Sequence, residues 1–112
     1  MNKTINVNSN IGKRLNKIRK SKSRCLLFNG KEIPLVGKIT MGRDSKNAFV
    51  INDNMASRFH AVIQKIKDDY FIKDLNSTNG TFVNEMQVPK EKYVKLYDND
   101  IIRIGRTEFS II

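Results

Sequence analysis

From residue 25 to the end of the chain, short apolar runs alternate with clusters of turn-forming residues, and no stretch keeps a helical period. Strands separated by Gly, Asn, Asp and Pro at such intervals are typical of all-β sandwiches. The sequence therefore predicts an all-β chain with about ten strands folded into two packed sheets. After an opening hairpin, the predicted strands are 39–41, 48–51, 60–67, 70–75, 81–83, 101–104 and 108–112.

The opening hairpin joins the apolar run 26–28 to the run 31–36 through Asn29-Gly30. Both linking residues tolerate the positive φ values of a tight primed turn. A second turn is predicted at Asp68-Asp69, where two acidic residues separate apolar runs. The aromatic residues of the strands are predicted to lie in the core, namely Phe28, Phe49, Phe71, Phe82 and Phe109.

The charge is unevenly distributed along the chain. The net charge is +10, but residues 1–24 hold eight of the 21 basic side chains and none of the 11 acidic ones. Residues 1–23 are therefore predicted to form a basic N-terminal arm, disordered or a short helix, and residues 24–112 a single domain. Ile11, Leu15 and Ile18 are spaced by four and three, which would place them on one face of such a helix.

Composition limits the kind of protein this is. One cysteine, Cys25, excludes an intrachain disulfide and fits a reducing compartment, and one cysteine with one histidine is too few for a zinc site. No apolar run approaches the roughly 20 residues of a membrane-spanning helix, and the N-terminus lacks the apolar stretch of a secretory signal. We expect a cytoplasmic protein without a cofactor or a metal.

Three polar clusters interrupt the strand pattern, at 42–43, 57–60 and 76–81. Together they supply two guanidiniums, several hydroxyls and two carboxamides. A phosphomonoester carries close to two negative charges and three acceptor oxygens, so its binding site needs several convergent donors on ordered loops. The clusters therefore indicate recognition of a phosphate group next to a peptide backbone.

The order and spacing of these clusters resemble the forkhead-associated (FHA) domain family. The resemblance covers roughly residues 24–112 and rests on Gly42-Arg43, Ser57-Arg58-x-His60, the run from Asn76 to Asn84, and Asp100-Ile101-Ile102-x-Ile104-Gly105. It implies an eleven-stranded β-sandwich whose loops at one end bind phosphothreonine in a partner protein, without catalysis, in a Ser/Thr kinase pathway.

The resemblance also implies roles for individual residues. Arg43 would contact the phosphate, Ser57 and Arg58 would add a hydroxyl and a second positive charge, Thr78 would bond the phosphate, and Asn79 would hold the ligand main chain. Gly42, His60 and Gly80 would shape the loops, with His60 bracing the loop that carries Ser57.

The sequence departs from the family pattern at two turns. Asn99 stands where the family commonly has glycine, and an asparagine can still adopt the left-handed conformation with modest strain. The turn Asn84-Glu85 lacks the glycine of an Asn-Gly turn, which weakens a primed hairpin turn and can change its type.

Two other interpretations of the clusters are weaker. Ser57 and His60 could suggest a nucleophile and its base, but no orienting acid or oxyanion motif accompanies them, so no enzyme is expected. The segment from Asp74 to Glu85 nearly matches a calcium-binding EF-hand loop. However, its glycine falls at position seven where the sharp turn needs position six, and strands flank it where helices are required.

Two functional hypotheses follow. The leading one is a non-enzymatic reader of phosphothreonine peptides, probed by Arg43→Ala and by matched peptides with and without phosphate. The alternative is an FHA-like scaffold whose basic arm, residues 3–24, contacts nucleic acid or an acidic membrane surface. In either case the protein is expected to be a monomer.

Overall fold

The computed structural model describes residues 4–5, 7–8 and 24–112 of the chain, and these contain strands but no helix. The strands are β1 (Thr4–Ile5), β2 (Val7–Asn8), β3 (Cys25–Phe28), β4 (Lys31–Pro34), β5 (Lys38–Gly42), β6 (Phe49–Val50), β7 (Ala61–Ile66), β8 (Asp69–Asp74), β9 (Phe82–Val83), β10 (Met86–Gln87), β11 (Tyr93–Leu96), β12 (Ile101–Ile104) and β13 (Thr107–Ile111). The described part holds no helix that is long and apolar enough to cross a bilayer.

Eleven of these strands form two sheets, which confirms the predicted sandwich. The six-stranded sheet has the order β10-β9-β12-β13-β3-β4, and the five-stranded sheet has the order β11-β8-β7-β5-β6. Neighbours within the two sheets are antiparallel except β5 and β6, which run parallel. β1 and β2 form a separate two-stranded parallel pair.

The core lies between the two sheets, because each strand sends alternate side chains to its inner face. Leu26, Ile102 and Ile111 from the six-stranded sheet and Ile63 and Ile72 from the five-stranded sheet are at most 1% exposed. A cluster of three aromatic rings lies in the core beside them. The ring of Phe49 meets those of Phe28 and Phe109 edge-on, with centroids 5.4 and 5.2 Å apart.

The turns show which local predictions hold. Asn29 and Gly30 have φ values of 52° and 78°, so the opening hairpin closes through the primed turn expected from its sequence. Asn84 and Glu85 adopt φ values of 51° and 65°, so this turn keeps the left-handed pair without a glycine. Asn99 is also left-handed, at 70°.

Several predicted details are wrong. β10 and β11 were not among the predicted strands, because β10 has two residues and the four residues of β11 lie in a lysine-rich segment. The turn between β7 and β8 falls at Lys67-Asp68, one residue earlier than predicted, and Lys67 takes the left-handed conformation with φ 58°.

Two of the five aromatic residues predicted to lie in the core lie instead on outer sheet faces. Phe71 packs edge-on against Tyr93, with ring centroids 6.3 Å apart, and Phe82 lies under the guanidinium of Arg103. The predicted helix at 11–18 and the rest of the arm, apart from 4–5 and 7–8, lie outside the described residues.

Ile72 offers a test of the core. Its side chain is fully buried in the middle strand pair of the five-stranded sheet, so we expect Ile72→Ala to lower the free energy of unfolding by about 2–5 kcal/mol through lost burial and a residual cavity. Ile66→Ala removes the same atoms from a side chain that is 38% exposed and should cost much less. Equal losses for the two variants in urea unfolding would contradict the assigned core.

Candidate functional site

Three loops lie together at one end of the sandwich, the β5–β6 loop (residues 43–48), the β6–β7 loop (51–60) and the β8–β9 loop (75–81). They enclose an open cleft of about 410 Å³, lined by Arg43, Asn54, Met55, Ala56, Ser57, Arg58, Thr78 and Asn79. All five residues predicted to face a ligand therefore line one cleft, although they come from three separate segments. Within residues 24–112, no acidic residue lines it.

The two guanidiniums of the cleft differ in how they are held. Arg43 donates from Nε to the carbonyl of Ala56 at 3.0 Å, and its backbone N–H donates to the carbonyl of Ser57 at 3.0 Å. Its terminal amino groups have no bond to the described residues. The side chain of Arg58 is exposed and has neither a hydrogen bond nor an ion pair within residues 24–112. Both arginines can therefore direct donors at an anion.

The β6–β7 and β8–β9 loops bond directly to each other across the cleft. The backbone N–H of Thr78 donates to Ser57 Oγ at 3.1 Å, and Asn79 Nδ2 donates to the carbonyl of Met55 at 2.9 Å. Since Ser57 Oγ accepts here, its own proton remains available to a ligand. The second amide hydrogen and the Oδ1 of Asn79 make no bond to the described residues.

Glycine at position 42 lets the β6–β7 loop approach closely. Its φ is not left-handed, but a Cβ there would lie 2.3 Å from the carbonyl oxygen of Arg58 and 2.9 Å from the backbone nitrogen of His60. Gly80 is required for a different reason, since its φ of +90° is strained for any L side chain and a Cβ would lie 2.7 Å from Gln87 Nε2.

His60 joins two of the three loops through its imidazole. The ring is fully buried; it accepts the backbone N–H of Ser57 at Nδ1, at 2.9 Å, so Nε2 carries the proton and donates to the carbonyl of Gly80, also at 2.9 Å. Burial lowers the pKa of His60 below 6.5, although the Gly80 carbonyl and the Asp74 carboxylate act in the opposite direction. The imidazole is therefore held neutral.

Asp74 organises the β8–β9 loop from beneath, a role that the sequence reading did not assign. Its carboxylate accepts the hydroxyls of Ser77 at 2.5 Å and Thr81 at 2.6 Å, and the backbone N–H of Ser77 at 2.9 Å. Burial, the largest effect, raises the pKa of Asp74, but the bonds from Ser77 and Thr81 outweigh it and lower the pKa below 3.8. The spacing Asp-x-x-Ser is the signal that could have identified this turn.

Two further side chains that were not predicted brace the cleft. Asn47 is buried and donates from Nδ2 to the carbonyl of Arg58 at 2.7 Å, which ties the β5–β6 loop to the β6–β7 loop. Asp53 accepts the backbone N–H groups of Met55 and Arg106, each at 2.8 Å, so it clips the same loop to the β12–β13 turn. The bonds from Met55 and Arg106 lower the pKa of Asp53.

The geometry gives no support to the weaker interpretations. His60 accepts the backbone N–H of Ser57 and not its hydroxyl, so the two side chains do not form a nucleophile and base pair. The carboxylate of Asp74 is enclosed by hydroxyls, and strands flank the segment that resembled a calcium loop. Residues 24–112 bring together no group of three or more side chains suited to a metal ion.

Gly42→Ala tests the close approach of the loops. The added methyl group meets backbone atoms that cannot rotate away, so we expect a loss of about 1–3 kcal/mol in the free energy of unfolding. Lys46→Ala, an exposed change in the same loop, should remain within about 0.5 kcal/mol. A Gly42→Ala protein as stable as the Lys46→Ala control would show that the loops have more room than described.

The buried imidazole predicts a pH dependence of stability. Because the pKa of His60 is lower in the folded protein than its ordinary 6.5, the unfolded chain binds more protons below that pH. Stability should therefore be fully present at pH values well above 6.5 and fall as the pH drops through and below 6.5.

His60→Gln removes the only histidine of the chain, and melting temperatures across this pH range should then lose the slope. The imidazole of the unaltered protein, followed by NMR, should stay neutral below pH 6.5. The same slope in both proteins would assign the effect to other groups.

The comparisons with known proteins agree with this architecture. The family model of the FHA domain matches residues 39–105. The transcriptional regulatory protein EmbR of Mycobacterium tuberculosis is 37% identical over 85 residues, which are 75% of this chain and 21% of EmbR. The FHA domain-containing protein FhaB of Mycolicibacterium smegmatis is 32% identical over 69 residues, which are 62% of this chain and 43% of FhaB. The chain thus spans less than half the length of these curated relatives.

Solved structures match the fold in detail. A domain studied for phosphothreonine-dependent FHA interactions matches with a TM-score of 0.73 and 33% identity, covering 80% of this chain and 95% of that one. Mycobacterium tuberculosis EmbR in complex with a low-affinity phosphopeptide matches with a TM-score of 0.77 and 29% identity, covering 90% of this chain and 28% of that one. Since the family model covers more than half of the chain and the sandwich matches these structures, the chain belongs to the FHA domain family.

Proposed function

We propose that the cleft binds phosphothreonine within a partner protein, as a module of Ser/Thr kinase signalling without catalytic activity. The observation that carries this proposal is the meeting of two guanidiniums with unused donors in a cleft whose described lining contains no acidic residue. The phosphopeptide complex of EmbR and the phosphothreonine-dependent interactions of the matched FHA domain support it.

Each predicted residue has a role in this proposal. The terminal amino groups of Arg43 and the guanidinium of Arg58 bind phosphate oxygens, and the hydroxyls of Ser57 and Thr78 donate to the same group. The free amide atoms of Asn79 pair with the ligand main chain next to the phosphothreonine. Gly42, His60 and Gly80 set the loop positions.

The two parts of the chain have separate roles in the proposal. Residues 24–112 form the phosphopeptide-binding domain, and residues 1–23 form a basic arm outside it. The partially buried free thiol of Cys25 is compatible with a cytoplasmic location, which is part of the proposal, as is a monomeric state.

The alternative, in which the arm holds nucleic acid or acidic lipid, has weaker support. The family match begins at residue 39 and does not include the arm. Steep salt dependence of binding to DNA or to anionic vesicles would be its signature, since each neutralised phosphate releases counterions.

Arg43→Ala tests the proposed site. A hydrogen bond to a charged group contributes about 1.5–3 kcal/mol, so the variant should bind phosphothreonine peptides about 10- to 150-fold more weakly. Isothermal titration calorimetry measures this difference. The peptides are selected from a phosphothreonine library, and each is paired with its unphosphorylated form. The unphosphorylated peptides should show no measurable binding to either protein.

Two further variants separate charge from loop structure. Arg58→Ala removes a guanidinium that has no bond to the described residues and so does not hold the loops in place. Weaker peptide binding by this variant would therefore measure the lost phosphate contact alone. Lys46→Ala removes an exposed charge outside the cleft lining and should change affinity by about threefold or less. Equal affinity for phosphorylated and unphosphorylated peptides, or unchanged binding by Arg43→Ala, refutes the proposal.

A further inference from the structure

The two outer faces of the sandwich carry opposite charge. The outer face of the five-stranded sheet presents Lys38, Lys73 and Lys95, with Asp69 as its acidic residue. Asp69 is paired with Lys95 at 3.5 Å. This face therefore has a positive excess.

The outer face of the six-stranded sheet has an acidic excess instead. Glu32 and Glu108 point outward from β4 and β13, and neither forms an ion pair within residues 24–112. The arginine of this face, Arg103, is already bound to Glu85 through both carboxylate oxygens and stacks on Phe82.

A shallow groove with both polar and apolar lining lies next to Glu108, and Glu32 lies beside it as the register partner of Leu27. Ile101, Ser110 and Leu27 are register neighbours on β12, β13 and β3, and Glu32 continues the same row on β4. The groove has a volume of about 270 Å³ and is lined by Leu27, Asn29, Gly30, Ile101, Glu108, Phe109 and Ser110. Ile101 is 45% exposed in it.

The basic arm joins the domain on the outer face that carries this groove. The arm leads into β3 at Cys25, whose side chain lies on the same outer face, two residues before Leu27 and thus about 7 Å from it. Five extended residues cover up to about 17 Å, so the chain between residues 18 and 23 can turn back over the face. A helix formed by the ten residues 11–20 would be about 15 Å long, which fits across a few strands.

We propose that segment 11–20 of the arm docks on the outer face of the six-stranded sheet. Ile11, Leu15 and Ile18 would cover Leu27 and Ile101. The segment's five cations, Lys13, Arg14, Lys17, Arg19 and Lys20, would lie near Glu32 and Glu108. Burial of apolar surface supplies the attraction, and the opposite charges select this face over the basic one. The inference is independent of peptide binding in the cleft.

Hydrogen exchange of the full chain tests the docking with a matched pair of variants. Ile101→Lys places a repelling charge in the groove, and Tyr93→Lys places the same charge at a position of similar exposure, 44%, on the opposite face. Amides of segment 11–20 should exchange about tenfold faster in Ile101→Lys than in the unaltered chain, and Tyr93→Lys should leave them unchanged.

Leu15→Ser should produce the same acceleration, and combining it with Ile101→Lys should add little, because both changes remove one contact. Equal exchange in all the proteins, or an equal effect of Tyr93→Lys, overturns the proposal.

Carbodiimide cross-linking identifies which chain supplies the arm. Docking within one chain predicts amide links from Lys17 or Lys20 to Glu108 or Glu32, and Glu108→Gln should remove those to position 108. A mixture of ¹⁵N-labelled and unlabelled protein distinguishes the sources by mass. Links mainly between labelled and unlabelled chains would mean that the groove receives the arm of a second copy. Links mainly to Asp69 would place the arm on the opposite face. Either result overturns docking of the arm on the groove of its own chain.

Discussion

The buried imidazole of His60 is the contact on which the cleft depends. It accepts from the backbone of Ser57 on one side and donates to the backbone of Gly80 on the other, so the two loops are held at a distance set by one rigid ring. Both bonds require the neutral tautomer with its proton on Nε2. The burial that lowers the pKa of His60 is therefore also what preserves its two different hydrogen-bonding roles.

Asp74 and Gly42 complete the support around this ring. The carboxylate of Asp74 gathers Ser77 and Thr81 under the β8–β9 loop, and its Oδ1 lies 3.9 Å from His60 Nε2. Gly42 allows the backbone at Arg58 to approach without a methyl group between them. A buried layer of hydrogen bonds thus fixes the loops from within, while the side chains above it remain exposed to a ligand.

Much of the fold and the cleft could be predicted from the sequence because the signals are local. Asn29-Gly30 marks its turn through φ preferences, and the alternating apolar runs mark most strands. The roles of Asp53 and Asn47 could not be predicted in this way. Their partners are backbone groups at Arg106 and Arg58, which only the register and the meeting of separate loops bring close.

The strands β10 and β11 were not predicted for the same reason, since they too depend on contacts between distant parts of the chain. The sequence of β11 is typical of a charged loop because one face of the strand is solvated and basic. Its position at the sheet edge is set by pairing with β8, which the sequence alone does not show. Phe71 and Phe82 appeared to be core residues because a one-dimensional pattern does not distinguish the two faces of a sheet. On the folded protein they pack under Tyr93 and Arg103.

The hydrogen bonds between the loops also determine which polar groups of the cleft remain available to a ligand. The carbonyls of Met55, Ala56, Ser57 and Arg58 all accept hydrogen bonds from Asn79, Arg43 or Asn47. These acceptors are therefore already engaged, whereas N–H and O–H donors remain directed outward. An ammonium group entering the cleft would find few acceptors and two positive charges. The backbone bonding that shapes the loops thus makes the cleft select against cations, before any ligand contact is considered.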